Sequence, residues 1–266
     1  MWAAANLFGG AAFAQVSDDD APKALRYVLG ASVRVAPEYA GSSNQVAKLR
    51  PVWALEYGRY RISPSGAGTL LGFGVDDAGP GASAELLRTS DWKFGVALRW
   101  TTGRPASASP FLTGLPDVRS TLLGRAQVSY RLAERWSLAG NVTPDLLGRG
   151  SGAVASLGLG YRQRLLEGVE WTVGSGIEFG DRRHMQSNFG IDPAASLASG
   201  LPAFNAGAGI KDLNLGTGLT VMLARRWVAF GGIGTSRLLG DAAASPVTRD
   251  RNASFVSIGL AYRCCR

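Results

Sequence analysis

Apolar and polar residues alternate one by one along much of the chain. In the stretch 92–100, Trp, Phe, Val or Leu occupies every second position, and Lys, Gly, Ala and Arg stand between them. The stretches 169–180 and 212–223 repeat this pattern. Because successive side chains of a strand point to opposite faces, a period of two predicts strands with one apolar and one polar face.

The alternation predicts about twelve strands, an even number that is typical of an all-β, transmembrane antiparallel up-and-down β-barrel. A soluble β-sandwich also has alternating strands, so it is the alternative fold. No apolar run reaches the roughly 18 residues of a membrane-spanning helix, so closed β-structure is the way in which this chain would span a membrane. The predicted strands are 25–36, 47–57, 58–63, 68–75, 92–100, 117–131, 134–143, 152–164, 169–180, 212–223, 225–236 and 252–263.

The connections between these strands alternate in length, which favours the barrel over the sandwich. Barrels in the outer membrane have short periplasmic turns and longer outside loops. One connection breaks the rhythm, because 75–90 is long yet falls on the periplasmic side. The short turns are at 57–59, 132–135, 165–168 and 224–226, and the long segments are 102–116, 144–151, 181–206 and 237–251.

A tryptophan stands near the start of several strands that follow a short turn. These residues are Trp92, Trp136, Trp171 and Trp227. Such spacing places them at one level of a barrel, as an aromatic girdle at the membrane interface requires.

The polar face is rich in arginine, and it predicts a basic lumen. The net charge is +8, but the 28 Lys and Arg residues are scattered singly, which speaks against a nucleic-acid partner. The lumen is then either a narrow, anion-preferring passage or a plug in which arginines pair with Glu170 and Glu178. The residues predicted to face the lumen are Arg26, Arg34, Arg50, Arg59, Arg61, Lys93, Arg99, Arg119, Arg125, Arg131, Arg162, Glu56, Glu170 and Glu178.

The N-terminal stretch indicates export from the cytoplasm. Residues 1–14 are apolar and end in Ala-Phe-Ala, the small-x-small form of a signal-peptidase site, so we expect a signal peptide remnant there. Residues 15–24 then form a periplasmic segment, and 25–266 form the barrel domain. Cys264 and Cys265 are neighbours, so they cannot form a disulfide scaffold for the fold.

We predict no catalytic, cofactor-binding or metal site. His184 is the only histidine, and with Ser187 and Asn188 it has the residue types of a lipid hydrolase. All three lie in the longest predicted loop, however, where such residues meet by chance. The acidic run Asp18 to Asp20 is interpreted as a solvated terminus rather than a calcium site.

Several motifs in order along the chain resemble the MipA/OmpV family of outer-membrane proteins. The most specific are Ser199-Gly200-Leu201-Pro202-Ala203-Phe204 and Arg237-Leu238-Leu239-Gly240-Asp241-Ala242, followed by Ser245-Pro246-Val247. Earlier matches are Pro37-Glu38-Tyr39-Ala40-Gly41-Ser42 and Leu112-Thr113-Gly114-Leu115-Pro116-Asp117. The last strand departs from the family, because Cys264-Cys265-Arg266 follows Tyr262-Arg263 where an aromatic residue usually ends it.

This resemblance implies a barrel in the outer membrane of a Gram-negative cell, in contact with lipid and lipopolysaccharide. It also implies a structural scaffold that links a murein-degrading transglycosylase to a murein synthase in the periplasm, at the inner face of that membrane. Other members of the family are described as porin-like proteins or adhesins, so an anion-preferring channel or a surface receptor is the alternative. For the scaffold we expect partner contacts on 75–90, and for a receptor on the long outside loops.

Overall fold

The computed structural model describes residues 25–63 and 80–264, and in this part of the chain twelve antiparallel strands form a closed barrel. The prediction of an all-β up-and-down barrel is confirmed, because each strand pairs with its neighbours in sequence and β12 pairs with β1. The strands are β1 Arg26–Pro37, β2 Gln45–Tyr57, β3 Tyr60–Ser63, β4 Gly81–Arg88, β5 Trp92–Thr101, β6 Thr121–Arg131, β7 Trp136–Pro144, β8 Ala153–Leu166, β9 Val169–Gly180, β10 Gly209–Met222, β11 Trp227–Leu238 and β12 Asn252–Cys264.

The fourth strand differs from the prediction. The stretch 75–90 was expected to be a long periplasmic connection, but Gly81–Arg88 is a strand that pairs with β3 and β5. The turn that follows it is short, since β5 begins at Trp92. In the described part of this stretch, 80–90, there is therefore no long periplasmic connection to provide the partner surface that was expected on 75–90. The predicted strand 68–75 and the N-terminal assignments for 1–24 lie outside the described residues.

Alternation divides the wall into two faces. Leu29 and Val33 of β1 point outward and are exposed, whereas Val28 and Arg34, next to them in sequence, point inward and are buried. The same parity gives β5 an outer face of large apolar residues and an inner face of Lys93, small residues and Arg99. Outward apolar residues recur on most strands, so the barrel carries an apolar outer surface of the kind that lipid solvates.

The long connections lie at one end of the barrel, called the loop end here, and the short turns lie at the other, called the turn end. The loop-end connections contain three helices that the alternation did not predict: α1 Arg182–Phe189, α2 Pro193–Ser199 and α3 Gly240–Ala244. The carboxylate of Asp181 accepts a hydrogen bond from the His184 amide at the start of α1, and Asp192 does the same for Ala195 in α2. No helix of the described chain is long and apolar enough to cross a membrane.

Four loop-end connections pack together into a cap with its own apolar core. This cap consists of residues 38–44, 102–120, 181–208 and 239–251. One buried cluster joins Tyr39, Leu112, Ile191 and Val247, one from each connection. The Tyr39 hydroxyl also donates a hydrogen bond to the Val247 carbonyl over 3.2 Å. A second cluster around Phe189 packs α1 against α3 and the end of β11.

The cap extends from one side of the barrel to the other. The connection 102–120 leaves the wall between β5 and β6, and 239–251 leaves it between β11 and β12, which is half-way around the barrel. The Arg249 guanidinium nevertheless lies 4.5 Å from the centre of the Phe111 ring. Side chains from opposite sides thus meet above the mouth.

The seam that closes the barrel is tight at Gly30, which predicts sensitivity to substitution there. A Cβ added at Gly30 would overlap the Leu260 carbonyl oxygen and lie 2.6 Å from the Ala261 Cα atom. We expect Gly30→Ala to lower the free energy of unfolding by about 1–3 kcal/mol because β1 and β12 must separate. A urea titration measures this change, with the folded fraction at each urea concentration determined from the heat-modifiable migration of the barrel on a gel.

The matched control is Gly209→Ala, where an added Cβ meets no atom within 4 Å. Equal stability of Gly30→Ala and Gly209→Ala would contradict a tight closing seam.

Candidate functional site in the barrel lumen

The strand register decides which predicted residues line the lumen. Twelve of the fourteen lie at inward positions on strands, where their neighbours in sequence point outward. Arg59 lies instead in the turn between β2 and β3, and Arg119 lies in the connection before β6, which begins only at Thr121. Both are exposed, so their prediction as lumen residues is wrong. The twelve at inward positions are Arg26, Arg34, Arg50, Glu56, Arg61, Lys93, Arg99, Arg125, Arg131, Arg162, Glu170 and Glu178.

The turn half of the lumen is filled by side chains. Val28, Ala97 and Thr172 point inward from β1, β5 and β9, which are evenly spaced around the barrel, and each is at most 6% exposed. Phe230 joins Val28 and its neighbours in an apolar cluster. Small side chains that point into the lumen are buried only if longer side chains cover them on the lumen side. The ion pair of Arg162 and Glu170, 3.5 Å apart, belongs to this filling.

The loop half of the lumen contains a cavity of about 790 Å³, called the chamber here. The strand wall surrounds it, and Tyr39, Arg104 and Phe189 of the cap contribute to its lining. Among the described lining residues, six are Lys or Arg and three are Asp or Glu. The lining of the chamber therefore carries an excess of basic side chains.

A β-bulge adds Lys211, which the alternation did not place in the lumen, to a buried charge cluster. The register of β10 shifts between Ile210 and Asp212, so both Lys211 and Asp212 line the chamber. The Lys211 ammonium forms an ion pair with Glu178 and lies 3.3 Å from the Asp212 carboxylate. In the plug alternative Glu178 pairs with an arginine, whereas here its partner is Lys211. The change of parity at the bulge is what concealed Lys211.

Helix α1 is fixed to the neighbouring connection 145–152 by the residues that suggested a hydrolase. The Nδ1 atom of His184 lies 3.0 Å from the Ser151 carbonyl oxygen, and the Ser187 hydroxyl donates to the Gly150 carbonyl. The Asn188 amide donates to the His184 carbonyl. All three contacts are to backbone, so these residues serve the cap. No group of three or more metal-binding side chains occurs in the described ranges.

The four predicted girdle tryptophans share one level at the turn end. Each points outward near the start of its strand and is 36% to 45% exposed. Tyrosines on neighbouring strands meet them, which the sequence pattern did not reveal because the register brings the pairs together. The ring centres are 4.5 Å apart for Trp92 and Tyr130, 5.0 Å for Trp136 and Tyr161, 5.9 Å for Trp171 and Tyr161, and 5.4 Å for Trp227 and Tyr262.

The family model described as "MltA-interacting protein MipA" matches residues 29–264, which is nearly the whole chain. This chain belongs to the MipA family. The match begins within β1 and ends with β12, so it covers most of the barrel wall and the whole cap. The resemblance noted in the sequence is confirmed, and the chain is an outer-membrane type of barrel. No curated protein matches the sequence.

Solved barrels resemble this MipA-family chain only distantly. An outer-membrane channel from Pseudomonas putida F1 shares 11% identity at a TM-score of 0.48, over 95% of this chain and 100% of that one. An anion-selective porin from Comamonas acidovorans shares 11% at 0.40, over 91% and 99%. A protein titled "KdgM porin" shares 9% at 0.42, over 88% and 98%.

The buried cluster on β10 predicts that the MipA-family barrel depends on Lys211. Replacing it by Met leaves Glu178 and Asp212 together without a cation, which we expect to lower the free energy of unfolding by about 3–5 kcal/mol. Adding Glu178→Gln to Lys211→Met should restore part of that loss. Urea titrations of the three proteins measure both steps, and a Lys211→Met protein as stable as the parent would contradict the prediction.

Burial in the cap, with the positive charge of Lys211 nearby, lowers the pKa of His184 to about 4. Between pH 6.5 and pH 4 the unfolded chain binds a proton there that the folded chain does not. Neutral His184 therefore makes its full contribution to the free energy of unfolding above pH 6.5. Towards pH 4 this contribution falls by up to about 1.4 kcal/mol per pH unit.

NMR titration of this single histidine should give a midpoint near pH 4, and His184→Gln should remove that part of the pH dependence of unfolding. A midpoint at or above 6.5 would contradict burial of the ring.

Proposed function

We propose that this MipA-family barrel is a closed, non-enzymatic scaffold in the cell outer membrane. It binds a murein-degrading lytic transglycosylase of the MltA type, and with it a murein synthase, on the periplasmic side. In this proposal residues 1–14 are an export signal, 15–24 are periplasmic, and lipid and lipopolysaccharide surround the apolar wall. The observation that carries the proposal is the cap, in which side chains from opposite sides of the barrel meet above the mouth.

The filling of the lumen supports a role other than transport. A barrel of about twelve strands lies between the filled eight-stranded barrels and the open sixteen-stranded porins. Here the turn half holds buried inward residues on evenly spaced strands, and the cap lies over the loop half. A solute that crosses the whole barrel would have to displace both. A partner that binds to the outside of the barrel does not have to displace the cap or the side chains of the turn half.

The turn end is the surface that a periplasmic partner reaches in this orientation. Its connections are short, so a partner would contact a rim of turn residues rather than one large loop. Arg225 and Arg226 form the most basic of these turns. The Arg226 guanidinium is held by the Tyr262 hydroxyl over 2.9 Å, and both arginines are exposed. Arg59 and Arg135 add exposed positive charge in other turns.

Charge reversal in this rim tests the proposal. In lipid nanodiscs the parent barrel should bind a purified transglycosylase of the MltA type, and Arg225→Glu should weaken binding by roughly fivefold, as expected for a charge at the edge of an interface. Biolayer interferometry measures both affinities.

The matched control is Arg149→Glu, which reverses an exposed arginine at the loop end and should leave binding unchanged. Absence of binding to the parent, or equal weakening by both variants, would contradict the proposed scaffold surface.

A further inference from the structure

The part of the cap that lines the chamber contains buried polar atoms without a hydrogen-bond partner. The Nε and Nη1 atoms of Arg104 are shielded from solvent and make no hydrogen bond, and the same holds for the Oε2 atom of Glu38. Both residues line the chamber. A buried donor or acceptor left unsatisfied costs about 1–3 kcal/mol, so each such group needs an explanation. One explanation is a ligand that both accepts from Arg104 and donates to Glu38.

The position of Arg104 suits it to hold a ligand between the cap and the wall. Its Nη2 atom is 3.5 Å from the Ser187 carbonyl oxygen of α1, and its charge acts on Tyr39 of the first connection. Two other connections of the cap thus interact with Arg104, although its own connection leaves the barrel between β5 and β6. The Nε and Nη1 atoms keep charged N–H donors, which form strong hydrogen bonds with a carboxylate.

The two opposed walls of the chamber differ in chemistry. Lys48 and its inward neighbours on β1 and β2 are basic. Half-way around the barrel, β7 and β8 present Asn141, Thr143 and Ser156. Two of the three acids of the lining, Glu178 and Asp212, are paired with Lys211. Excess positive charge therefore faces a network in which Asn141, Thr143 and Ser156 hydrogen-bond to one another and Thr143 accepts from Arg125. Such amides and hydroxyls also form hydrogen bonds with alcohols.

We propose that the chamber binds an acidic sugar of about disaccharide size. Its carboxylate accepts hydrogen bonds from Arg104, its hydroxyls donate to Glu38, and other hydroxyls meet the amide and hydroxyl wall. The volume of about 790 Å³ lies within the range of small-molecule sites and far exceeds that of a simple inorganic anion. This site is independent of the turn-end rim, so each proposal can fail without the other.

Binding of two sugars that differ in one carboxylate tests the site. The probes are cellobiouronic acid and cellobiose, titrated by calorimetry into the full barrel refolded in detergent at low salt. We expect at least tenfold tighter binding of the acid, and about tenfold weaker binding of the acid to Arg104→Gln. Glu38→Gln should weaken binding of both sugars and keep the preference for the acid.

The control is Arg149→Gln, an exposed loop-end arginine outside the chamber lining, which should bind as the parent does. If Arg104→Gln fails to give a heat-modifiable barrel, Lys48→Gln takes its place, with several-fold weaker binding of the acid expected. No binding, equal affinity for the two sugars, or an equal loss in Arg149→Gln would overturn the proposal. Equal affinity for citrate would overturn the assignment to a sugar.

Discussion

In a bilayer a strand can satisfy its backbone only by hydrogen bonds to other strands, so the whole structure depends on closure of the ladder between β1 and β12. Once the ladder is closed, every strand has one face towards lipid and one towards the lumen. The alternating sequence then follows, with exposed apolar residues outside and charged or small residues inside. The glycine at the seam is needed because the two closing strands approach closely there.

Closure with twelve strands creates an interior that side chains must fill or leave open. In the turn half, long arginines and an apolar cluster fill it. In the loop half the wall leaves a chamber, and the connections close over it because their apolar residues gain more by packing together than by facing water. The cap and the inward side chains of the wall thus both occupy the space that closure with twelve strands creates.

The local pattern was sufficient for the strands whose alternation is unbroken, such as β5. It failed for β4, where a bulge at Leu86 disturbs the period, and for Lys211, where a second bulge lets two consecutive residues face the lumen. Each bulge inserts one residue, which inverts the parity on which face assignment rests. A single amino-acid sequence contains no local pattern that marks such an inserted residue.

The cap was missed for a different reason. The helix α2 has a local signal in Asp192 followed by Pro193, which is typical of a helix start. The apolar core above the mouth has none, because Tyr39 and Val247 are 208 positions apart in sequence. The tryptophans were visible in the sequence, but their tyrosine partners depend on the register between strands.

We propose that the cap and the buried inward side chains of the turn half leave no continuous passage through the barrel. Single-channel recording in planar bilayers, with the refolded and heat-modifiable protein at two salt concentrations, tests this closure. We expect no conductance steps at either concentration. Stable steps whose size rises with salt would contradict it and would show that the lumen conducts.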